Sequence, residues 1–293
     1  CNSYDGLDII DISDIFNPVT VGHYDYYYAD DPYLSARIYD VAFSGDNAFL
    51  ACRQGGVKVL DISDPSNPID LNTYFSSSGN YIDAVEIVDN NLIFGDRSGN
   101  VTLLDISNIY SPEVLSEINI GYHVWDLNVS GNVIDALVLY PFRYAKIIYS
   151  ENNISLANDI LELGCCYSYS FTRSGDFVYI PDENRFIKIH SPLSNNDDLS
   201  VDSSIDLFSI IPYSSDIINE KFYISSGAGY VIHDLSTNEY IGGNFNYDGS
   251  VGDVYANDSL IIVNDNISNA VKIFTFDNTG ELDLKSEIQN EWV

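Results

Sequence analysis

Apolar residues occur along the chain in short alternating runs that are separated by polar or glycine-containing turns. Residues 40–43, a turn at 44–47 and residues 48–51 form one such unit, and alternation of this kind is typical of a β-hairpin. Val, Ile, Tyr and Phe dominate the runs, and no segment keeps a 3.6-residue apolar period over ten residues. The pattern therefore predicts an all-β protein. Comparable hairpins are predicted at 83–95, 126–139, 170–180, 214–225 and 253–263.

The chain also repeats itself. Three segments are near copies that begin at Leu7, Val57 and Val101, and each runs through an Asp-Ile-Ser sequence to a proline. Weaker copies follow, and the positions equivalent to the first Asp are Asp11, Asp61, Asp105, Tyr149, His190, Asp234 and Thr275. Their spacings of 50, 44, 44, 41, 44 and 41 residues predict the four-stranded blades of a β-propeller. We expect the Asp and Ser of each copy to bond nearby backbone groups where the strand leaves the sheet.

The segment from Val57 to Pro68 resembles the signature of the LVIVD-repeat family. The resemblance implies a propeller of the kind found in extracytoplasmic bacterial and archaeal proteins, and it implies no common enzymatic activity. The later copies depart from the pattern at Tyr149, His190 and Thr275, so blade geometry is less well defined there.

The blade count follows from comparing strands with hairpins. Seven signature strands are present, but only six hairpins precede them, because nothing before Leu7 can supply an inner strand pair. We expect a seven-bladed propeller with six full blades and an N-terminal partial blade, formed by residues 7–293 as one domain. The alternative is a six-bladed propeller with an appended strand pair.

Charge and the first residue bear on location. Lys+Arg 12 against Asp+Glu 44 gives a net charge of -32, which argues against a nucleic-acid partner because phosphates require a basic surface. Cys1 followed by a short polar segment, residues 1–6, resembles a mature bacterial lipoprotein, whose cysteine carries the lipid. We therefore expect an extracytoplasmic protein that is anchored to the outer membrane through Cys1, at the cell surface. A truncated chain that starts at Cys by chance is the alternative.

Four carboxylates form the first candidate site. Hairpins open with Asp40, Asp83, Asp126 and Asp253, with Ser170 and Ser214 at the other two equivalent positions. First strands line the channel of a propeller, so these residues predict an acidic ring at the channel mouth. Either each Asp bonds backbone amides of the neighbouring blade, which is the favoured interpretation, or the ring binds Ca²⁺, which prefers several oxygen ligands.

A tyrosine-rich connection forms the second candidate site, with Tyr24, Tyr26, Tyr27, Tyr28 and Tyr33 as its members. Tyrosine supplies rigid contact area to protein interfaces and stacks on sugar rings. The alternative is a purely structural role, in which these rings cover the exposed edge of the partial blade.

Catalytic motifs are not found, and no cofactor is expected. His123, near Trp125 and Asp126, is the one histidine that merits a test as a base. The sequence favours a non-enzymatic scaffold that binds a membrane protein or protein complex. A surface glycan-binding propeller is the alternative, and an extracytoplasmic hydrolase or lyase is third.

Overall fold

The computed structural model describes residues 6–26, 38–77, 81–157, 160–164, 168–182, 185–194, 199–206, 212–226, 229–237, 239–245, 251–257, 259–265, 268, 270–276 and 282–289. Strands are the regular elements of these residues, as the alternating pattern predicts. None of the residues within these ranges forms a helix long and apolar enough to cross a membrane.

The strands build six antiparallel blades, each with four strands in sequential order, and one separate two-stranded hairpin. The hairpin pairs β1 (Leu7–Asp11) with β2 (Val19–Tyr24). Blade 1 comprises β3 (Asp40–Ser44), β4 (Asn47–Ala51), β5 (Val57–Asp61) and β6 (Ile69–Tyr74). Blade 2 comprises β7 (Ile82–Val88), β8 (Asn91–Asp96), β9 (Asn100–Asp105) and β10 (Glu113–Asn119). Blade 3 comprises β11 (His123–Ser130), β12 (Val133–Leu139), β13 (Phe142–Ser150) and β14 (Asn153–Leu156), and β15 (Leu161–Gly164) also pairs with β13.

Blades 4 to 6 follow the same order. Blade 4 comprises β16 (Thr172–Ser174), β17 (Phe177–Asp182), β18 (Arg185–His190) and β19 (Ser200–Asp206). Blade 5 comprises β20 (Pro212–Ile218), β21 (Lys221–Ser226), β22 (Gly229–Asp234) and β23 (Glu239–Phe245). Blade 6 comprises β24 (Val251–Ala256), β25 (Leu260–Asp265), β26 (Ala270–Phe276) and β27 (Leu282–Gln289). The chain divides into two compact units: blades 1 to 3 lie in the first and blades 4 to 6 in the second.

The preferred expectation of seven blades is wrong, and the six-bladed alternative describes the structure. The described residues before Asp40 supply only β1 and β2, so the hairpin has no inner strand pair to complete a blade. Its apolar residues pack beside blade 1 instead, where Leu7 and Tyr26 join Leu50 and Leu60 in one buried cluster.

The core lies between successive blades. In the first unit, Val101 and Leu103 of blade 2 pack with Ile134 and Ala136 of blade 3. In the second unit, a separate cluster joins Phe186 of blade 4 to Phe222 of blade 5. Both faces of the inner strands are therefore buried, which explains why every position of β8 and β12 is buried.

The repeated Asp residues act as expected from the signature. The amide of the residue two positions on donates to the carboxylate in four copies, at 2.8 to 2.9 Å: Asp11, Asp61, Asp105 and Asp234. These hydrogen bonds lower the pKa of each carboxyl, because they favour its charged form. The signature thus fixes the turn after β1 and the turns after the third strands of blades 1, 2 and 5.

Candidate functional site

Antiparallel pairing brings two kinds of segment to the same end of blades 1 to 3. The residue that opens the first strand pairs with the residue that closes the second, as in Asp40 with Ala51 and His123 with Leu139. The connection between the second and third strands therefore lies beside the start of the first strand. We call this the entry end; it carries Tyr39, Arg53, Tyr81, Asp83, Arg97, His123, Trp125 and Tyr140.

Asp83 is the centre of a charged cluster at the entry end. Its Oδ1 accepts a hydrogen bond from Nε of Arg53 at 2.9 Å, and its Oδ2 accepts one from Nε of Arg97 at 2.9 Å. Nε2 of His123 lies 2.6 Å from the same Oδ2. The Asp83 side chain is fully buried, whereas those of Arg53 and Arg97 are 22% and 31% exposed. A buried carboxylate is thus held by groups that reach the surface.

The cluster keeps Asp83 ionised. Burial alone would raise the pKa of Asp83, because it disfavours the charged form. The hydrogen bonds from His123 and Arg97 and the charges of Arg97 and Arg53 outweigh burial, and they hold the pKa of Asp83 below its usual value. Asp83 thus offsets the charge of one of the two arginines that it contacts.

Aromatic rings hold both guanidinium groups in place. The Cζ of Arg53 lies 3.7 Å from the centroid of the Tyr39 ring, and that of Arg97 lies 4.4 Å from the Tyr81 ring. Stacking of this kind is attractive because the ring face carries negative potential. Gln54 in turn donates to the Tyr81 hydroxyl at 2.7 Å.

His123 and Trp125 extend the cluster to the surface. The rings of His123 and Trp125 meet edge to face at 5.3 Å, and Tyr39 meets Trp125 in the same way at 6.0 Å. Tyr140 stacks on His123 with centroids 6.4 Å apart, and this ring is 66% exposed. The entry end therefore presents an aromatic surface beside its two arginines.

The backbone fixes the two arginine-bearing loops to one segment. Arg53 and Ile82 exchange both backbone hydrogen bonds, at 2.9 and 3.2 Å, and the amide of Arg97 donates to the carbonyl of Tyr81 at 3.0 Å. Arg53 itself has a φ of 49°, a left-handed conformation that costs a non-glycine residue energy. A strained arginine held in this way is a recognised feature of functional loops.

Sequence reasoning missed Arg53 and Arg97. A signal was present, because each lies eight residues before the signature Asp of its copy, Asp61 and Asp105. In a chain with only 12 Lys and Arg residues, two arginines at one repeat position mark a shared environment.

Comparison with known proteins identifies the repeat. The LVIVD repeat family matches residues 3–26 and 37–75. The chain carries LVIVD repeats. No curated protein sequence matches this LVIVD-repeat chain.

Solved structures share the fold. A putative 6-phosphogluconolactonase from Bacteroides uniformis is similar with a TM-score of 0.71 and 12% identity, over 93% of this chain and 88% of that one. The WD40 β-propeller domain of Doa1 gives 0.67 and 12%, over 87% and 83%. A functionally unknown protein from Desulfotomaculum acetoxidans gives 0.63 and 10%, over 79% and 75%. At these identities the likeness shows the β-propeller fold alone.

The four predicted ring residues of the LVIVD-repeat chain have different surroundings. Asp40 accepts hydrogen bonds from its neighbour Val41 at 2.8 Å and from Val85 of the next blade at 2.9 Å, as in the favoured interpretation. Asp83 is held by arginines instead. Asp126 is half-buried on β11, and Asp253 lies on β24, where its side chain is outside the description.

A β-bulge explains why Asp83 differs from Asp40. The pairing of β7 with β8 shifts between Ile82 and Ala84, so Asp83 is an extra residue, whereas β3 pairs with β4 without a shift. A bulge re-aims a side chain, and here it points the carboxylate at the arginines.

The acidic residues do not assemble a metal site within the part of the chain that the structure describes. There, no group of three or more His, Cys, Asp or Glu residues is arranged to bind a metal ion. The Ca²⁺ expectation therefore has no ligand set among these residues.

The predicted tyrosine patch is only partly described. Tyr26 is buried in the cluster beside blade 1, and the hydroxyl of the half-buried Tyr24 donates to Asp70 at 2.9 Å. Tyr26 thus belongs to the packing between the hairpin and blade 1. Tyr27, Tyr28 and Tyr33 lie outside the described residues.

The other predicted chemistry is located as follows. Cys1, Cys165 and Cys166 lie outside the described residues, and Cys52 is a buried free thiol. Among the described residues, His123 contacts one carboxylate, that of Asp83, which is fewer than the two acidic groups expected around a hydrolytic base.

Proposed function

We propose that this LVIVD-repeat propeller is a non-enzymatic binding protein that contacts a protein partner through the entry end of blades 1 to 3. One observation supports the proposal: Arg53, Arg97, Trp125 and Tyr140 lie together there, and Tyr140 is 66% exposed. Arg, Trp and Tyr are the residue types that supply most of the binding energy at protein interfaces.

The rigidity of the cluster also supports binding. Each guanidinium group is fixed by Asp83 and by a tyrosine ring, so little side-chain freedom remains to be lost when a partner binds. A surface prepared in this way loses less free energy to ordering than one built from flexible side chains.

The proposed setting is a complex at the outer membrane or cell surface, with a lipid on Cys1 as the anchor and the propeller as a scaffold subunit. The extracytoplasmic occurrence implied by the repeat family supports this setting. Intact-mass spectrometry of the protein from detergent-solubilised membranes tests it, because an acylated Cys1 adds the mass of its fatty acyl chains. A free Cys1 thiol in the native protein would contradict the anchor.

Position-specific photo-crosslinking tests the binding face. A benzoylphenylalanine in place of Tyr140 reports on the entry end, and one in place of Tyr110 is a matched control. Both tyrosines are 66% exposed, but Tyr110 lies in the connection between β9 and β10, at the opposite end of blade 2. In native membranes we expect a defined adduct from position 140 that an excess of unlabelled protein abolishes. Equal adducts from both positions would refute the assignment of this face.

A further inference from the structure

We infer that Arg53 and Arg97 form an oxyanion site that binds a carboxylate in an acidic peptide segment of the partner; this rests on the proposed function. The inference begins with unused donors. Each guanidinium group donates to Asp83 through Nε, and among the described residues neither terminal nitrogen of Arg53 or Arg97 has a hydrogen-bond acceptor. Two guanidinium forks beside one another, each with open N–H groups, match the oxygens of a carboxylate.

Charge gives the second step. Asp83 contributes one negative charge against the two guanidinium groups that it contacts, so this group of three side chains keeps a positive charge in a protein whose net charge is -32. Asp40 and Asp126 at neighbouring strand starts, and Glu86 further along β7, oppose an anion. At physiological ionic strength the Debye length is about 8 Å, so distant carboxylates are screened more than direct hydrogen bonds.

Access gives the third step. Asp83 is fully buried, whereas the side chains of Arg53 and Arg97 are 22% and 31% exposed, so a ligand can contact the arginine side chains from solvent without displacing the carboxylate. Asp83 then acts as a positioning residue, because its two oxygens hold the two Nε atoms side by side.

The aromatic rings favour a peptide over a sugar. Arg53 covers one face of Tyr39, Arg97 covers one face of Tyr81, and Tyr140 stacks on His123. A sugar platform presents open ring faces to its ligand, whereas one face of each of these rings packs on a guanidinium group or on the histidine. The donors available to a ligand are therefore those of the arginines.

Fluorescence anisotropy with short labelled probes tests the inference on the full chain at pH 7 and 150 mM NaCl. The probes are hexaglutamate, its uncharged counterpart hexaglutamine, and hexagalacturonate as an acidic glycan. We expect hexaglutamate to bind at least about tenfold more tightly than hexaglutamine, since the bidentate contacts are lost with the charge. Equal binding of the two peptides would overturn the inference, and tighter binding of hexagalacturonate would overturn the peptide assignment.

Substitutions locate the site. Arg53→Gln and Arg97→Gln should each weaken hexaglutamate binding about tenfold. Lys58→Gln is the matched control: it removes one positive charge from the same unit, but Lys58 pairs with Asp70 away from the cluster, so we expect less than about a twofold change. Arg53→Lys keeps the charge without the fork and should give an intermediate loss. Equal losses in Lys58→Gln and the arginine variants would show a general charge effect and refute the site.

Two controls separate this inference from the proposed function. In a Trp292→Phe background, the fluorescence of Trp125 reports whether each variant keeps its folded entry end. A Tyr140 adduct that forms without any hexaglutamate binding would refute the oxyanion site and leave the binding face intact. Arginine-dependent hexaglutamate binding without a Tyr140 adduct would support the site and contradict the proposed function.

Discussion

Asp83→Asn is the sharpest test of the entry-end cluster. The substitution keeps the shape of the side chain but removes a buried charge that accepts from Arg53 and Arg97 and contacts His123. Breaking a buried ion pair costs about 3 to 5 kcal/mol, because the remaining charges lose their partner. Both arginines are partly exposed and regain water, so we expect the lower end of that range, about 3 kcal/mol.

Urea unfolding followed by tryptophan fluorescence measures this loss. The chain has two tryptophans, and a Trp292→Phe background leaves Trp125, whose ring contacts His123, as the reporter of the cluster. Asp46→Asn is the control, because Asp46 is an exposed turn residue of the same unit. We expect it to change the free energy of unfolding by less than about 0.5 kcal/mol.

The pH dependence of the Asp83→Asn effect provides a second check. The pKa of Asp83 is lowered in the folded protein, so its ionised form is stabilised there. Above about pH 5, the protein with Asp83 should exceed the Asn variant in free energy of unfolding by the full amount. This difference should shrink as pH falls below the pKa of an aspartate in the unfolded chain, about 3.9, toward the lower pKa of Asp83 in the folded protein. A loss under about 1 kcal/mol at pH 7, or one that is unchanged at pH 3, would refute the proposed role of Asp83.

Three further predictions concern buried groups. Burial and the charge of Asp40 raise the pKa of Glu86 to about 7, so ionisation destabilises the fold as pH rises from about 4.5 to 7. Glu86→Gln should therefore increase the free energy of unfolding by about 2 kcal/mol at pH 8 and change it little at pH 4.5, as chemical denaturation can show. Phe49→Ala should cost about 4 kcal/mol, because this ring is fully buried, whereas Phe43→Ala at a 57% exposed position should cost less than about 1 kcal/mol. Burial raises the pKa of the Cys52 thiol to about 12, so with the other three cysteines changed to serine it should react with a thiol reagent at pH 8 only after unfolding.

The blades could be predicted from the sequence because the interactions that form their strands and turns are local in the chain. Alternation sets the strands, and the Asp of each signature closes the turn after the third strand through an amide two residues away. Copies that lack this Asp, such as those with Tyr149 and His190, still form the third strand of a blade. The spacing of the repeats could not show whether the hairpin of β1 and β2 forms a blade, because a blade requires two further strands that pair with the hairpin.

The cluster could not be predicted in the same way because its contacts are not local. Arg53 and Asp83 are 30 residues apart, and His123 is 40 residues beyond Asp83. A bulge at Asp83, which the strand pattern does not reveal, separates its role from that of Asp40. Counted back from the turn that ends the first strand, Ala84 and not Asp83 is equivalent to Asp40, so the sequence pattern grouped two carboxylates that occupy different positions in the sheet.

The repeat signature and the arginine cluster lie at opposite ends of the same blades. The signature Asp61 closes the third strand and begins the turn to the fourth, whereas Arg53 lies in the connection before that strand, beside the start of the next blade. The signature therefore stabilises the blade without constraining the entry end, where successive copies are free to carry different side chains. Folding requires the shared turn, so a match to the repeat identifies the fold. Binding requires side chains that differ between copies, so the residues at the entry end, and not the repeat signature, determine the ligand.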